Sequence, residues 1–236
     1  MKKLSIIIPT YNEEKTIPDL LDHLSKGIVN LRDAEILVVD GGSSDRTVEV
    51  ASGLGFRCFL SDRKGRAAQM NVGAEDAKGD ILYFVHADTF PPASFVDDIN
   101  QALSEGFKSG CYRYQFDRYP NPLLKINAYC TRFDRIMCRG GDQTLFITRN
   151  LFNKLGGFRE DFSIMEDYDL IQKIQKVTTF KIIQKDATVS SRKYDENGYF
   201  KVQIANLIIF LMYFTNVSQE QMVHVYQSLI NYPKVG

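Results

Sequence analysis

The first ninety residues repeat one unit: a short apolar run, a turn, then apolar residues at helical spacing. Strand candidates are Leu4–Pro9, Glu35–Asp40, Arg57–Leu60 and Ile81–His86, the third being the least apolar. Between the first two, Ile17, Leu20, Leu21 and Leu24 recur three and four apart and predict a helix. Asn12 is expected as its N-cap, with Glu13 and Glu14 in the first turn, where acids suit the helix dipole. A second helix is expected from near Ser44 and Asp45, and a third from about Arg66 to Ala77. Repeated βα units imply a mainly parallel sheet covered by helices, with functional groups at the carboxyl ends of the strands. Three segments then share one rim: Pro9-Thr10-Tyr11, Asp40-Gly41-Gly42 and His86-Ala87-Asp88.

The stretch YFVHADTF (83–90) makes that rim chemically interesting. A carboxylate closing a run buried on both faces is costly unless something pairs with it or uses it. Two carboxylates and a glycine pair converging on one rim point to a ligand site.

The second half is less regular. Ser109–Phe116 and Thr144–Thr148 read as strands, and Leu123–Cys138 as an amphipathic helix associated with Arg132, Arg135 and Arg139. Gly156-Gly157 ends a short helix, and Leu170, Ile171, Ile174 and Val177 mark another that Glu166 and Asp167 open. From Tyr199 to about Asn216 the pattern is helical but apolar nearly all round, which suits a buried helix or one resting on a partner or a membrane surface.

With 236 residues, 44% hydrophobic and 25% charged, the composition is that of an ordinary globular protein. Lysine and arginine balance aspartate and glutamate at 29 each, so no global basic field favours nucleic acid, and any anion site must be local. The cysteines (Cys58, Cys111, Cys130, Cys138) show neither CxxC nor zinc-ligand spacing, and reduced thiols in a cytoplasmic protein are expected. MKKLSIIIPTYNEE has too short an apolar run, ended by Pro9, for a secretory leader and reads as the first strand. The longest apolar stretch, Leu207–Phe214, falls far below the roughly 20 residues that span a bilayer. Contact of the C-terminal helices with a membrane surface or a second copy stays open.

VVDGGSSDRT (38–47) puts Asp40 where its carboxylate can accept from a base or ribose, and Gly41 and Gly42 where backbone can approach a ligand. The same residues equally suit a βα turn closed by an Asx-type bond. No G-x-G-x-x-G follows the first strand, which disfavours a hydride-transferring dinucleotide enzyme. DRKGRAAQMN (62–71) sets Arg63, Lys64 and Arg66 around Gly65 at a helix start, a pattern that suits a diphosphate or a solvated basic turn. Beside a diphosphate, Asp88 would share a hard divalent cation, Mn2+ or Mg2+, and His86 is either a further ligand or a packed side chain.

In this order and at these spacings, IIIPTYNEE, VVDGGSSD, GRAAQMN, HADT, GDQ, LGGF and MED resemble glycosyltransferase family 2 with the GT-A fold. Within it the likeness is to a bacterial subgroup of arsenosugar-biosynthesis or radical-enzyme-associated glycosyltransferases, over roughly residues 4–230. The resemblance implies an α/β fold and inverting transfer from a nucleotide-diphosphate sugar, UDP-linked, with Mn2+ or Mg2+. It divides residues 1–236, one domain, into a nucleotide-binding half (1–90), an acceptor half (91–198) and C-terminal helices (199–236). Carried over by position, Pro9, Tyr11, Glu13 and Asp40 line the nucleotide pocket, with Gly42 in the same loop and Arg66 near base or diphosphate. Asp88 is then the metal ligand, Asp167 the general base, and Asp142, Gln143 and Glu166 flank the acceptor. One departure matters: such enzymes carry two aspartates around a spacer in the metal motif, and the first is His86 here. Without a multi-helix membrane portion, a single transfer to a small or lipid-linked acceptor is expected rather than polymer extrusion. A nucleotidyltransferase, the first rival, would carry a glycine-rich basic loop after the first strand, where PTYNEE is acidic. A non-catalytic nucleotide-sugar-binding protein, the second, has no need of Asp88 and Asp167.

Overall fold

Alternate side chains of the first strand, β1 (Leu4–Thr10), feed two separate cores, because successive residues of a strand point to opposite faces. The structure is a computed structural model and describes residues 3–28, 30 and 33–231. Ile6 and Ile8 pack with Leu20, Leu21 and Leu24 of α1 (Ile17–Gly27) and with Phe95 and Ile99 of α4 (Phe95–Ser104). Ile7 faces the other way, toward Met70 of α3 (Arg66–Asp76), Phe152 of α6 (Arg149–Leu155) and Leu170 and Ile174 of α7 (Glu166–Val177). Helices on both faces explain why β1 and β2 (Ala34–Asp40) read as continuous apolar runs rather than alternating ones.

β3 (Arg57–Leu60), β2, β1 and β4 (Ile81–Phe84) pair in parallel in that order, the arrangement the βα repeats predict. α2 (Thr47–Gly53) joins β2 to β3. β7 (Leu145–Thr148) then pairs antiparallel with β4 and with β6 (Ser109–Phe116). β8 (Lys181–Val189) runs parallel to β6, and the two-residue β5 (Thr89–Phe90) closes the far edge. The sheet order is β3-β2-β1-β4-β7-β6-β8-β5. α9 (Tyr199–Phe214) and α10 (Gln219–Leu229) form a third apolar cluster with Ile164, through Ala205, Ile209, Met222 and Tyr226.

Several expectations are corrected. β4 stops at Phe84; the Val85 N–H still donates to the Ile7 carbonyl of β1 at 3.0 Å, and His86 lies beyond the strand. Asn12 does not cap α1: Thr16 holds the N-cap position, without a side-chain cap bond, while Asn12 takes φ 54° and turns its side-chain carbonyl to the Ser44 N–H at 2.8 Å. The helix expected over Leu123–Cys138 is only α5 (Leu124–Cys130), followed by a 3-10 turn over Ile136–Cys138. Buried Arg139 explains the break, because its guanidinium donates to the carbonyls of Thr131 at 2.5 Å and Phe133 at 2.7 Å and so satisfies them outside a helix. β8, α4 and α8 (Arg192–Asn197) were not anticipated.

The close stacking of α3 on the sheet depends on Gly73, where a Cβ would lie 2.4 Å from Ile7 Cγ2 and 3.0 Å from Val39 Cγ2. Gly73→Val should therefore lower stability by about 1–3 kcal/mol through overpacking, read as a reduced urea midpoint at unchanged slope. An unaltered midpoint would mean that α3 can lift from the sheet at no cost.

Candidate active site

Two loops at the carboxyl end of the sheet are tied into one surface by their own polar side chains. Asp40 is buried at the end of β2, and its Oδ1 accepts from the N–H groups of Gly42 and Ser43, both at 2.8 Å. Ser43 Oγ donates to Asp40 Oδ2 at 2.5 Å, and Gly42 makes the turn possible with φ 93°. Of the two readings left open for Asp40, the hydrogen bonds are those of the turn. From the β1 side, Asn12 N–H donates to Ser43 Oγ at 2.8 Å, Glu13 N–H to Thr47 Oγ1 at 2.8 Å and Glu14 N–H to Asp45 Oδ2 at 3.1 Å. Pro9 is buried in β1, Glu13 is buried with its carboxylate accepting from Thr16 Oγ1 at 2.6 Å, and the Tyr11 ring stands exposed. Gln69 of α3 bridges the two strand ends, donating to the carbonyls of Thr10 and Val39 at 2.8 Å each.

Beside this surface opens a cavity of about 620 Å³. Arg66, Asp88, Asp142 and Asp167 line it, whereas Pro9, Tyr11, Glu13, Asp40 and Gly42 lie outside it on the loop surface. Gln143 and Glu166, expected beside an acceptor, do not border it either. Gln143 is buried and donates to the Tyr112 carbonyl at 3.2 Å, and the Glu166 side chain is 0% exposed. Glu166 instead anchors Arg66, with Nε to Oε1 at 2.5 Å, and Arg66 Nη2 lies 3.8 Å from Asp167 Oδ2. The basic turn divides: Arg66 faces the cavity, while Arg63 turns to Glu75 and Glu160 and Lys64 is exposed.

Met165, the residue before these acids, takes φ 68°, a conformation unfavourable for a side chain of that size, at the point where α7 begins. The strain turns Glu166 and Asp167 inward from the helix start. Burial and then repulsion from Glu166 push the Asp167 carboxyl up to about 6, with Arg66 acting in the opposite direction. Burial, then Asp142, also raises the Asp88 carboxyl. His86 Nδ1 sits 3.9 Å from Asp142 Oδ1. Burial alone would lower His86, but its attraction to Asp142 outweighs this and raises it, while the same contact lowers the Asp142 carboxyl, which stands largely exposed.

Two cations at the cavity were missed from the sequence. Arg192 Nη2 lies 3.9 Å from Asp88 Oδ2, and Lys193 donates to Asn206 Oδ1 at 3.3 Å and to the Tyr226 hydroxyl. Burial lowers Lys193 to about 8, and repulsion from Arg66 adds to it. Their signal is an Arg-Lys pair two residues past a strand, but it is visible only once β8 is recognised. Among the described residues no three histidine, cysteine or acidic side chains form a metal cluster. All four cysteines are free thiols, and no described helix is long and apolar enough to cross a membrane.

Comparison with known proteins agrees with this architecture. The chain is 27% identical over 194 residues to an uncharacterized glycosyltransferase of Haemophilus influenzae, covering 75% of this chain and 63% of that protein. It is 29% identical over 115 residues to the undecaprenyl-phosphate 4-deoxy-4-formamido-L-arabinose transferase of Yersinia pestis, covering 45% of this chain and 35% of that one. The chain thus spans less than two thirds of either relative. Among solved structures, TarS 1-349 of S. aureus in complex with UDP-GlcNAc superposes with a TM-score of 0.68 at 18% identity, over 96% of this chain and 71% of that one. Glucosyl-3-phosphoglycerate synthase from Mycobacterium tuberculosis, in complex with Mn2+, UDP and glucosyl-3-phosphoglycerate, gives 0.64 at 21%, over 88% and 79%. At such identities the likeness establishes the fold, which is the α/β GT-A arrangement. The sequence pattern of "Glycosyl transferase family 2" matches residues 5–162, well over half of the chain, and the protein belongs to that family.

Proposed function

We propose that this chain moves a glycosyl group from a nucleotide-diphosphate sugar to an acceptor hydroxyl with inversion, and that Asp167 is the general base. The observation that carries the reading is Asp167 itself: a carboxylate on the cavity wall, raised to about 6 by burial and Glu166, at the start of a helix. Asp167 takes the proton of the acceptor hydroxyl as the acceptor oxygen bonds to the anomeric carbon. The bond from that carbon to the diphosphate oxygen breaks on the opposite face, and its electron pair leaves with the diphosphate. Arg66, Arg192 and Lys193 are the cations placed to hold that developing charge.

The nucleotide is assigned to the loop surface of Tyr11, Glu13, Asp40 and Gly42, with Pro9 beneath. The Asp40 oxygens already serve the turn, so its part is to hold the loop or to share an acceptor position with the base. UDP is the nucleotide favoured, since fold neighbours are described with UDP-GlcNAc and with UDP. A divalent cation fits Asp88: burial and Asp142 hold its carboxyl up, and a cation relieves that cost. Asp88 would hold Mn2+ or Mg2+ together with diphosphate oxygens and water, and the ion would supply charge stabilisation to the leaving group. A neighbour bound to Mn2+ supports the same assignment. Cytoplasmic location and the likeness to the arsenosugar-associated subgroup belong to this proposal. Gln143 and Glu166 are assigned supporting parts, the one under Asp142 and the other behind Arg66.

Asp167→Asn keeps the shape and loses the base. Sugar transfer, followed by chromatography of the product, should fall by about 10²–10⁴-fold while UDP still raises the melting temperature. Near wild-type turnover would move the base to Asp142.

The same variant should be more stable than the parent at neutral pH. Asp167 is raised in the folded chain from 3.8 to about 6, so the folded state binds its proton more tightly than the unfolded one. Its ionisation therefore costs stability progressively between about pH 4 and pH 6, in total up to about 3 kcal/mol. Denaturant titrations should show Asp167→Asn gaining on the parent above pH 6 and no gain near pH 4. An equal difference at both pH values would contradict the raised carboxyl.

Asp88→Ala should leave the fold intact and abolish the Mn2+ dependence of UDP binding in a thermal-shift titration. Retention of the parent's Mn2+ dependence would place the cation elsewhere.

A further inference from the structure

α9 carries more apolar surface than its own protein covers. Val202, Ala205 and Ile209 pack inward, but Phe200, Ile204, Leu207, Leu211 and Phe214 are each 48–67% exposed. Their spacing of four, three, four and three places them in one stripe along the helix. A second exposed apolar set lies on α5 and the turns after it: Ile126, Tyr129, Phe133 and Met137, 48–70% exposed. The two sets are neighbours, since Tyr199 Oη donates to Asn127 Oδ1 at 3.2 Å. Both reach the cavity, because Met137 from one and Leu207 from the other are exposed and also line it. An apolar rim therefore flanks the mouth of the site on two sides.

The charges around this rim are mostly positive. Between residues 118 and 139 Lys125, Arg132 and Arg135 reach the surface against the single carboxylate Asp134, Arg139 being buried, and α9 holds Lys201 and no acid, in a chain of zero net charge. Arg118 is engaged by Asp195, while Lys125 and Arg135 are exposed and Arg132 lies over the Tyr129 ring at 3.6 Å. A two-fold contact with a second copy would bring this cationic rim against itself, whereas an anionic lipid surface complements it. Aromatic side chains beside cations and aliphatic ones are also the composition that settles at a membrane interface.

We propose that the cavity mouth docks on an anionic lipid surface through the exposed stripe of α9 and the apolar side chains of 126–137. This rests on the glycosyl-transfer reading only for its consequence, that the cavity opens toward acceptors residing in the interface.

The test is co-sedimentation of the full chain with phosphatidylcholine vesicles, with and without about one third phosphatidylglycerol. The parent should pellet with the anionic vesicles only, and raised salt should weaken that binding. Ile204→Glu combined with Leu211→Glu, two exposed positions outside the cavity lining, should reduce partitioning at least about tenfold while the chain still melts cooperatively. Failure of the parent to bind anionic vesicles, or undiminished binding by the double variant, overturns the proposal. So does a parent that sediments as a dimer and a double variant that sediments as a monomer, since a second copy then covers the face. UDP-induced stabilisation is measured on both proteins. Its absence from both counts against the transferase reading, and the vesicle result still decides this one.

Discussion

The ion pair between Arg66 and Glu166 joins the first residue of α3 to the first residue of α7, a hundred positions apart in the chain. Glu166 is wholly removed from water, and its Oε2 has no hydrogen-bond partner among the described residues. A carboxylate buried in that position is costly without a partner, so its burial leans on the contact with Arg66. One interaction thereby fixes three things. It pins the guanidinium at the cavity wall, holds the start of α7 against the start of α3, and places a negative charge behind Asp167. Burial raises the Asp167 carboxyl most and the last effect adds to it, as the proposed base would require.

The loop surface follows a different logic. The β1 and β2 loops are clamped by backbone N–H groups that donate into the other loop's side chains. Asn12 can serve because asparagine tolerates the left-handed region, and its side-chain carbonyl then meets the Ser44 N–H. The Tyr11 ring is left exposed on a surface whose backbone is fixed on both sides. A rigid polar shelf beside a cavity with charged walls suits a ligand with a flat polar end and a charged middle.

What could be read from the sequence was whatever depended on local spacing. The four parallel strands, the rim that carries Asp40 and Asp88, and the helix opened by Glu166 and Asp167 are all written in short periodic runs. Asn12 misled because its partner lies in the next βα unit, and α5 because a distant arginine claims the carbonyls that would have continued it. β8 escaped because its pairing with β6 is remote and its exposed polar residues break the alternation. With β8 went Arg192 and Lys193, which only that strand carries to the cavity. Gln143 and Glu166, expected beside an acceptor, are buried, since motif position says nothing of burial. The Asp167 carboxyl is raised more by burial than by its neighbour Glu166, and burial is a tertiary property.

The charges of the cavity explain how one aspartate and a histidine can stand in for a two-aspartate motif under the proposed reading. Asp88 lies between Asp142, which raises its carboxyl, and Arg192, which lowers it. Asp88 would hold the divalent cation while Arg192 and Lys193 would hold the diphosphate, so that each bound charge would offset the one unfavourable to the other. Burial, with Arg66 adding to it, holds Lys193 down to about 8, and a bound diphosphate would favour its charged form. His86 needs no direct bond to the ion in this scheme. It draws Asp142 toward its ionised form and also lowers the Asp88 carboxyl, so its charge serves both acids.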